Sequence, residues 1–460
     1  MTWMKRVLLA LVLSGWVTAC GSGSSPTDTG GGGDTPAGVK GSVTIHTRFW
    51  ESKVSEKATS AHVLLGDGSR FLQQIGPSSD VTFEDPSLEG PQDITLVLHH
   101  PVGEDDYTQA YTYLAVNTSE VWLQFTPKDP PATTPQSAFI TGKVSGLADP
   151  RNTFVRVVGA GVSGEAPVTL DGSYRILATG TLPAVVNLFV LERHSDVSGL
   201  KAVGLRKGVT VLEGQQTAGQ DLSLDHLVDQ ELKLTIDGAS AYQQRFSSAT
   251  LSFYQDNRYL FALSEDTFGS DPSRLPSSVP AIALTAPFET TLARLGISVG
   301  FSSDLPAGAA YTGVPVENLS SGTLSLPKPM TLTSPTLGTW HEPGSVSSKD
   351  LSFQWRADAE AQRVELTLSP DLSSPNEYLP WKFSWRVTAP GSVTSFTPFR
   401  LPGEVWPYSS PFTYGQYRVT LSSRFQGGTL RYEDFFAQNP TQGPFARTWS
   451  TQLDGTLEFK

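Results

Sequence analysis

The chain is 460 residues long, with a formal charge of −12, one cysteine, 38% hydrophobic residues and 10% aromatic residues. That much apolar material excludes a disordered chain. The acidic balance excludes a surface dominated by the clustered Lys and Arg that nucleic acid needs, and a lone cysteine excludes an intrachain disulfide. Gly 42 and Pro 33, with few long helix-forming runs, predict short strands joined by turns and hence an all-β fold.

Residues 1–6 carry Lys5 and Arg6, residues 7–17 are an apolar run, and the small residues Thr18 and Ala19 stand directly before Cys20. A charged start, a short apolar core and a small-residue cleavage site predict a secretory signal peptide over 1–19, since the run is too short to span a bilayer. The end of this stretch, Val17-Thr18-Ala19-Cys20, resembles the lipobox of bacterial lipoproteins. The resemblance implies lipidation of Cys20, cleavage before it and acylation of the new N-terminus. It also implies outer-membrane sorting where a cell has such a membrane, because Gly21 and not aspartate follows the cysteine. Lipid would be the membrane contact, as no polybasic patch accompanies it. Residues 20–38 then form a Gly/Ser-rich tether, about 25 Å from end to end as a random coil.

Beyond the tether one pattern occurs three times, at a spacing that fits whole sandwich domains better than solenoid units. Domain 1 (39–126) opens with Val43-Thr44-Ile45 and closes over 113–125, where Leu114-Ala115-Val116-Asn117 is followed by a few polar residues and then a terminal alternating strand. A Pro-rich spacer (127–137) precedes domain 2 (138–226), which opens with Ile140-Thr141-Gly142-Lys143-Val144 and closes over 202–224. Domain 3 (229–330) opens with Leu232-Lys233-Leu234-Thr235-Ile236 and closes over 311–326. In the second copy, Gly142-Lys143-Val144-Ser145-Gly146, Val155-Arg156-Val157 and Leu170-Asp171-Gly172-Ser173-Tyr174-Arg175-Ile176 resemble carboxypeptidase-regulatory-like, or transthyretin-like, β-sandwiches. Asp171-Gly172 is a tight-turn pair, after which Tyr174 and Ile176 alternate inward.

Residues 331–338 read as another link, followed by a last domain over 339–460. Its strand Leu351-Ser352-Phe353-Gln354-Trp355, then Arg363-Val364-Glu365-Leu366-Thr367-Leu368, then Tyr417-Arg418-Val419-Thr420-Leu421, resemble a fibronectin type III or immunoglobulin-like domain. The expected architecture is therefore a row of antiparallel β-sandwich domains behind a signal peptide and tether. Such domains carry no catalytic residues to transfer.

Chemistry-bearing motifs are sparse. Gly159-Ala160-Gly161-Val162-Ser163-Gly164 matches a dinucleotide fingerprint, but a strand and turn follow where a helix is needed, so it reads as a hairpin loop. The seven histidines have no metal-ligand spacing. Glu104-Asp105-Asp106 lacks the alternation of a calcium loop and reads as a solvated turn. No catalytic residue, metal ligand or cofactor site is expected, and the chain is read as a non-enzyme.

Six of the ten tryptophans lie after residue 339. Trp381, Trp385, Trp406 and Tyr408 are candidates for a platform that stacks on a cell-surface polysaccharide or grips a protein ligand. Core packing of a large sandwich is the competing account. Trp355 belongs to the core by its strand position. The expected role is structural or adhesive. Carbohydrate binding through the C-terminal aromatics, or an enzyme with an unrecognised site, would be the alternatives.

Overall fold

Two-residue alternation decides which side chains become core. In Gly415–Phe425 the residues Tyr417, Val419 and Leu421 are buried while Arg418 and Thr420 face outward. The structure is a computed structural model, and it describes residues 38–47, 60–75, 80–102, 105–123, 125, 135–159, 161–195, 199–242, 246–268, 275–300, 307–339, 341–370, 381–408, 410, 412, 415–428, 430–437 and 446–459. Within them the fold is all-β, with sheets packed face to face and no α-helix. The signal peptide, Cys20, most of the tether and most of the Pro-rich spacer lie outside the described residues.

The three repeats share one structural device. Each long antiparallel strand is followed by a short strand that crosses to pair in parallel with the repeat's opening strand. Glu120–Trp122 pairs with Lys40–His46, Leu222–Ser223 with Gln136–Ser145, and Ser321–Ser325 with Gln230–Asp237. In the first repeat the closing stretch consists of two strands, Asp105–Val116 and Glu120–Trp122. Ala115 adopts φ 54 and its N–H donates to Asp93 Oδ1, turning the chain out of one sheet toward the other.

Two local expectations are corrected. Residues 331–338 contain a strand, Thr331–Ser334, which pairs with Phe353–Arg356 and packs Leu332 against the core. Asp105 and Asp106 begin a strand that pairs back on Pro101 and Val102, so they are not in a free turn. By contrast, Thr153–Gly159 and Val162–Pro167 form the hairpin expected of the glycine-rich stretch, with Gly159 opposite Val162. At the Asp171 turn, Gly172 sits at φ 80, and a Cβ there would lie 3.0 Å from the Val144 carbonyl oxygen. Tyr174 and Ile176 beyond it are buried.

The largest assembly is a 13-stranded sheet that ignores chain order. It runs through Arg258–Phe268, Phe246–Gln255, Leu292–Gly300 and Ala307–Val316 of the third repeat. It continues through Thr448–Phe459, Gly415–Phe425, Arg363–Pro370 and Trp381–Pro390 of the C-terminal segment, and ends with Asp105–Val116, Gln92–Val102, Ser60–Leu65 and Phe71–Gln74 of the first repeat. Gly344–Val346 adds on beside Thr448–Phe459. Two seams join the segments. One is antiparallel, from Ala307↔Asp454 to Gly313↔Thr448; the other is parallel, from Trp381↔Asp106 to Thr388↔Tyr113. An unpaired strand edge invites association with another chain. Here the C-terminal segment covers one edge of each of its two partners.

Four hydrophobic clusters form the interior. Leu64, Val97, Ala110 and Leu114 of the first repeat join the C-terminal core, while Tyr432 and Phe436 of a 3₁₀ turn reach back into the first repeat's core. The second repeat has its own nine-stranded sheet and core. Its outer side chains Phe189, Leu191, Val203 and Leu205 complete the core of the third, with Phe189 stacked on Phe261 at 4.9 Å. No helix among the described residues is long and apolar enough to cross a membrane.

Candidate functional site

Trp385 is fully buried, and its Nε1–H donates to Thr112 Oγ1 at 2.8 Å, a residue 273 positions away across the parallel seam. Trp406 is also buried; its Nε1–H donates to the Ser410 carbonyl at 3.0 Å and its ring lies 5.0 Å from Phe383. Both are core side chains, placed with Phe383, Phe396, Phe412 and Phe459 in the C-terminal cluster. Tyr408 rests edge-on against Trp406 at 5.1 Å and is 38% exposed. Trp381 starts its strand opposite Asp106, and its side chain, like Cys20, lies outside what is described. Trp355 is buried with its Nε1–H on the Val393 carbonyl, as its strand position predicts.

Three histidines, His46, His99 and His226, have hydrogen-bond partners on neighbouring residues, His99 Nδ1 lying 3.0 Å from Thr108 Oγ1. Between three strands, His46 Nδ1 lies 3.0 Å from Asp80 Oδ1 and Nε2 lies 2.8 Å from Glu120 Oε2, with the ring stacked on Trp122 at 3.8 Å. His226 bridges Asp225 and Thr285. His62 stands 6.0 Å from His99, and burial, with the neighbouring His99, lowers its pKa. Among the described residues no group of three or more His, Cys, Asp or Glu is placed to hold a metal.

The most elaborate polar arrangement is on the other face of the 13-stranded sheet from Trp385. Lys382, Ser384, Arg386 and Thr388 alternate with the buried aromatics of their strand and register with Tyr107, Gln109, Tyr111 and Tyr113. Along the Asp105–Val116 strand Tyr111 O–H donates to Gln109 Oε1 at 3.0 Å and Gln109 Nε2–H donates to the Tyr107 hydroxyl at 2.9 Å, and that hydroxyl meets Ser384 Oγ at 3.0 Å across the parallel seam. Beside this chain, Glu365 accepts a hydrogen bond from Arg386 Nη2 at 3.0 Å and forms ion pairs with Arg363 Nε at 3.1 Å and Arg424 Nη2 at 3.7 Å. Burial works against the Glu365 charge, but Arg363, Arg424 and Arg386 together outweigh it and hold the carboxyl at about 2. One strand further on, Arg418 lies 3.9 Å from Asp454, whose Oδ1 accepts from Thr420 Oγ1 at 2.6 Å.

Sequence reasoning missed this face. Its local signal was present in the alternation Arg418-x-Thr420-x-Ser422-x-Arg424, but the meeting of residues 105–116 with 381–390 leaves no local trace.

No family profile matches the chain, and no curated protein matches it. Among solved structures, the Bacillus anthracis TIE protein is 10% identical, with 88% of this chain and 67% of that chain covered at a TM-score of 0.14. A Streptococcal ancillary pilin is 10% identical, with 62% of this chain and 89% of that chain covered at a TM-score of 0.13. At these scores neither likeness carries a fold detail or a role across.

Proposed function

We propose that this is a non-enzymatic lipoprotein of the cell envelope, held to a membrane by lipid on Cys20, with the outer membrane as its destination where one exists. Its β-sandwich segments serve a structural or binding role. One observation supports the reading above the others: the 13-stranded sheet that fuses three segments into a continuous platform. The acidic groups best placed for chemistry are engaged in holding sheets together, Glu365 among three guanidiniums on that platform and Asp80 and Glu120 around His46 on the separate three-stranded sheet of the first repeat. The sequence supplies the address through its charged start, apolar run and lipobox-like end.

Two measurements test this. The Cys20→Ser variant should leave the membrane fraction with an unchanged circular dichroism spectrum; retention in the membrane would sink lipid anchoring. Limited proteolysis of intact cells reports exposure. Complete protection until the outer layer is broken would rule out an adhesin displayed outside the cell.

A further inference from the structure

We infer that the outward face of the C-terminal strands is a docking surface for an acidic polysaccharide; this deepens the binding role proposed above and rests on it. The face is chemically lopsided. Among the described side chains, in register across neighbouring strands, it presents Arg294, Arg363, Lys382, Arg386, Arg418 and Arg424, against Glu365, Asp454 and Glu458. Cations therefore gather on one sheet face of a chain whose formal charge is −12. Glu365 answers three of these guanidiniums at once, so the cluster keeps a positive excess. The side chains are reachable: Arg386 is 49% exposed, Arg424 42% and Arg418 62%.

The chemistry between the guanidiniums selects the occupant. Thr367, Thr420, Gln452 and Ser384 supply hydroxyl and amide groups on the same pleat, suited to the hydroxyls of a sugar chain. A guanidinium fork matches a carboxylate in two parallel hydrogen bonds. Strand spacing sets these groups on a lattice of about 4.8 Å by 6.8 Å, which an extended polymer can follow. A protein partner would require an exposed apolar anchor at the centre of the patch; the aromatics of the C-terminal strands are turned inward, and Tyr107, Tyr111 and Tyr113 beside them are half-buried, with Tyr107 and Tyr111 tied to Gln109. Duplex DNA carries a charge roughly every 1.7 Å and would meet the strongest repulsion from the acidic molecule; a uronate chain is less densely charged. One end of the strip is closed by the 3₁₀ turn Tyr432–Phe436, where Phe435 lies under Arg363 at 4.7 Å and Phe436 meets Tyr113. Arg424 stands opposite Arg363 at this end, Arg386 is level with Thr367 and Thr420 midway, and Arg418 stands opposite Thr456 toward the other end.

The test uses the full chain in detergent on immobilised polygalacturonate, with dextran as the neutral control. Retention is expected on polygalacturonate and not on dextran, at about 50 mM salt and lost by about 0.5 M. Arg418→Glu should weaken retention about tenfold, or ~1.4 kcal/mol, and Arg418→Glu with Arg424→Glu further. Arg418→Glu should leave the melting temperature unchanged, because its carboxylate partner is 3.9 Å away at the surface. Absence of retention on polygalacturonate, or equal retention of the variants, overturns the inference. Competition by duplex DNA as effective as that by polygalacturonate fragments at equal charge overturns the saccharide assignment. The membrane fractionation of Cys20→Ser is independent of all these outcomes, so a protein that is lipid-anchored but ignores polygalacturonate loses this inference and keeps the envelope role.

Discussion

Trp385 shows how one side chain joins parts of the chain that the sequence keeps far apart. Its ring fills the C-terminal core and its indole N–H satisfies Thr112 of the first repeat, which also bonds Thr95 at 2.9 Å. Trp385→Ala should cost about 3–5 kcal/mol through cavity formation, seen as a lower denaturation midpoint in urea. Trp385→Phe keeps most of the volume and isolates the hydrogen bond, so its smaller cost should be about 1 kcal/mol. Glu365 makes the complementary electrostatic case. Its folded pKa lies below the unfolded value near 4.5, so its stabilisation is present above that value and is lost as pH falls toward about 2. Stability measured between pH 5 and pH 2 should therefore fall more steeply for the native protein than for Glu365→Gln. The variant itself should be destabilised at neutral pH, because three guanidiniums lose their shared carboxylate. Equal pH slopes would refute that assignment. Trp355 and the inward positions of Tyr174 and Ile176 were legible from alternation alone. The burial of Trp385 and Trp406 was not, because alternation gives a shared face without saying whether that face meets water.

At the level of elements, the parallel seam is the contact that decides the architecture. Parallel strands need a connection that crosses over, and here it passes through the second and third repeats. Ala110 stands opposite Trp385 in register and is buried, so its small side chain leaves room for the indole. Ala110→Glu would put a carboxylate into that space. Hydrogen exchange should then accelerate in Asp105–Val116 and Trp381–Pro390, while Gln136–Ser145 of the second repeat's separate sheet keeps its protection. Uniform acceleration across all of them would mean that the seam has no independent stability. Individual strands were readable from their period, as in Gly415–Phe425. The polar break after Val116 was readable too, but the left-handed turn at Ala115 was hidden because it depends on the Ala115 N–H donating to Asp93, 22 residues upstream.

For the whole molecule, the covered edges carry a prediction about truncation. Removing 331–460 would strip the partner from Ala307–Val316 and from Asp105–Val116. It would also remove Tyr432 and Phe436 from the first repeat's core. Both edges would then be open to intermolecular pairing, and size-exclusion chromatography should find the truncated protein aggregated where the full chain is not. A monodisperse, folded truncation would show that the first and third repeats need no cover. The second repeat stands apart in its own sheet and touches the third through apolar side chains, a weaker basis for mutual dependence than a shared ladder of backbone hydrogen bonds.

By itself the sequence determined what is local: strand period, turn glycines, the repeat and its shared opening and closing strands, and the absence of an intrachain disulfide. Those properties follow from side-chain chemistry over a few neighbouring residues, which any reading of the chain can reach. Only the tertiary structure decided which edges meet. Backbone hydrogen bonds across a sheet are nearly indifferent to side-chain identity, so neither the union of residues 105–116 with 381–390 nor that of 307–316 with 448–459 is written in a motif. The outward strip of guanidiniums and tyrosines is a consequence of those unions. Its residues were visible one strand at a time, and they became a surface when the strands were laid side by side.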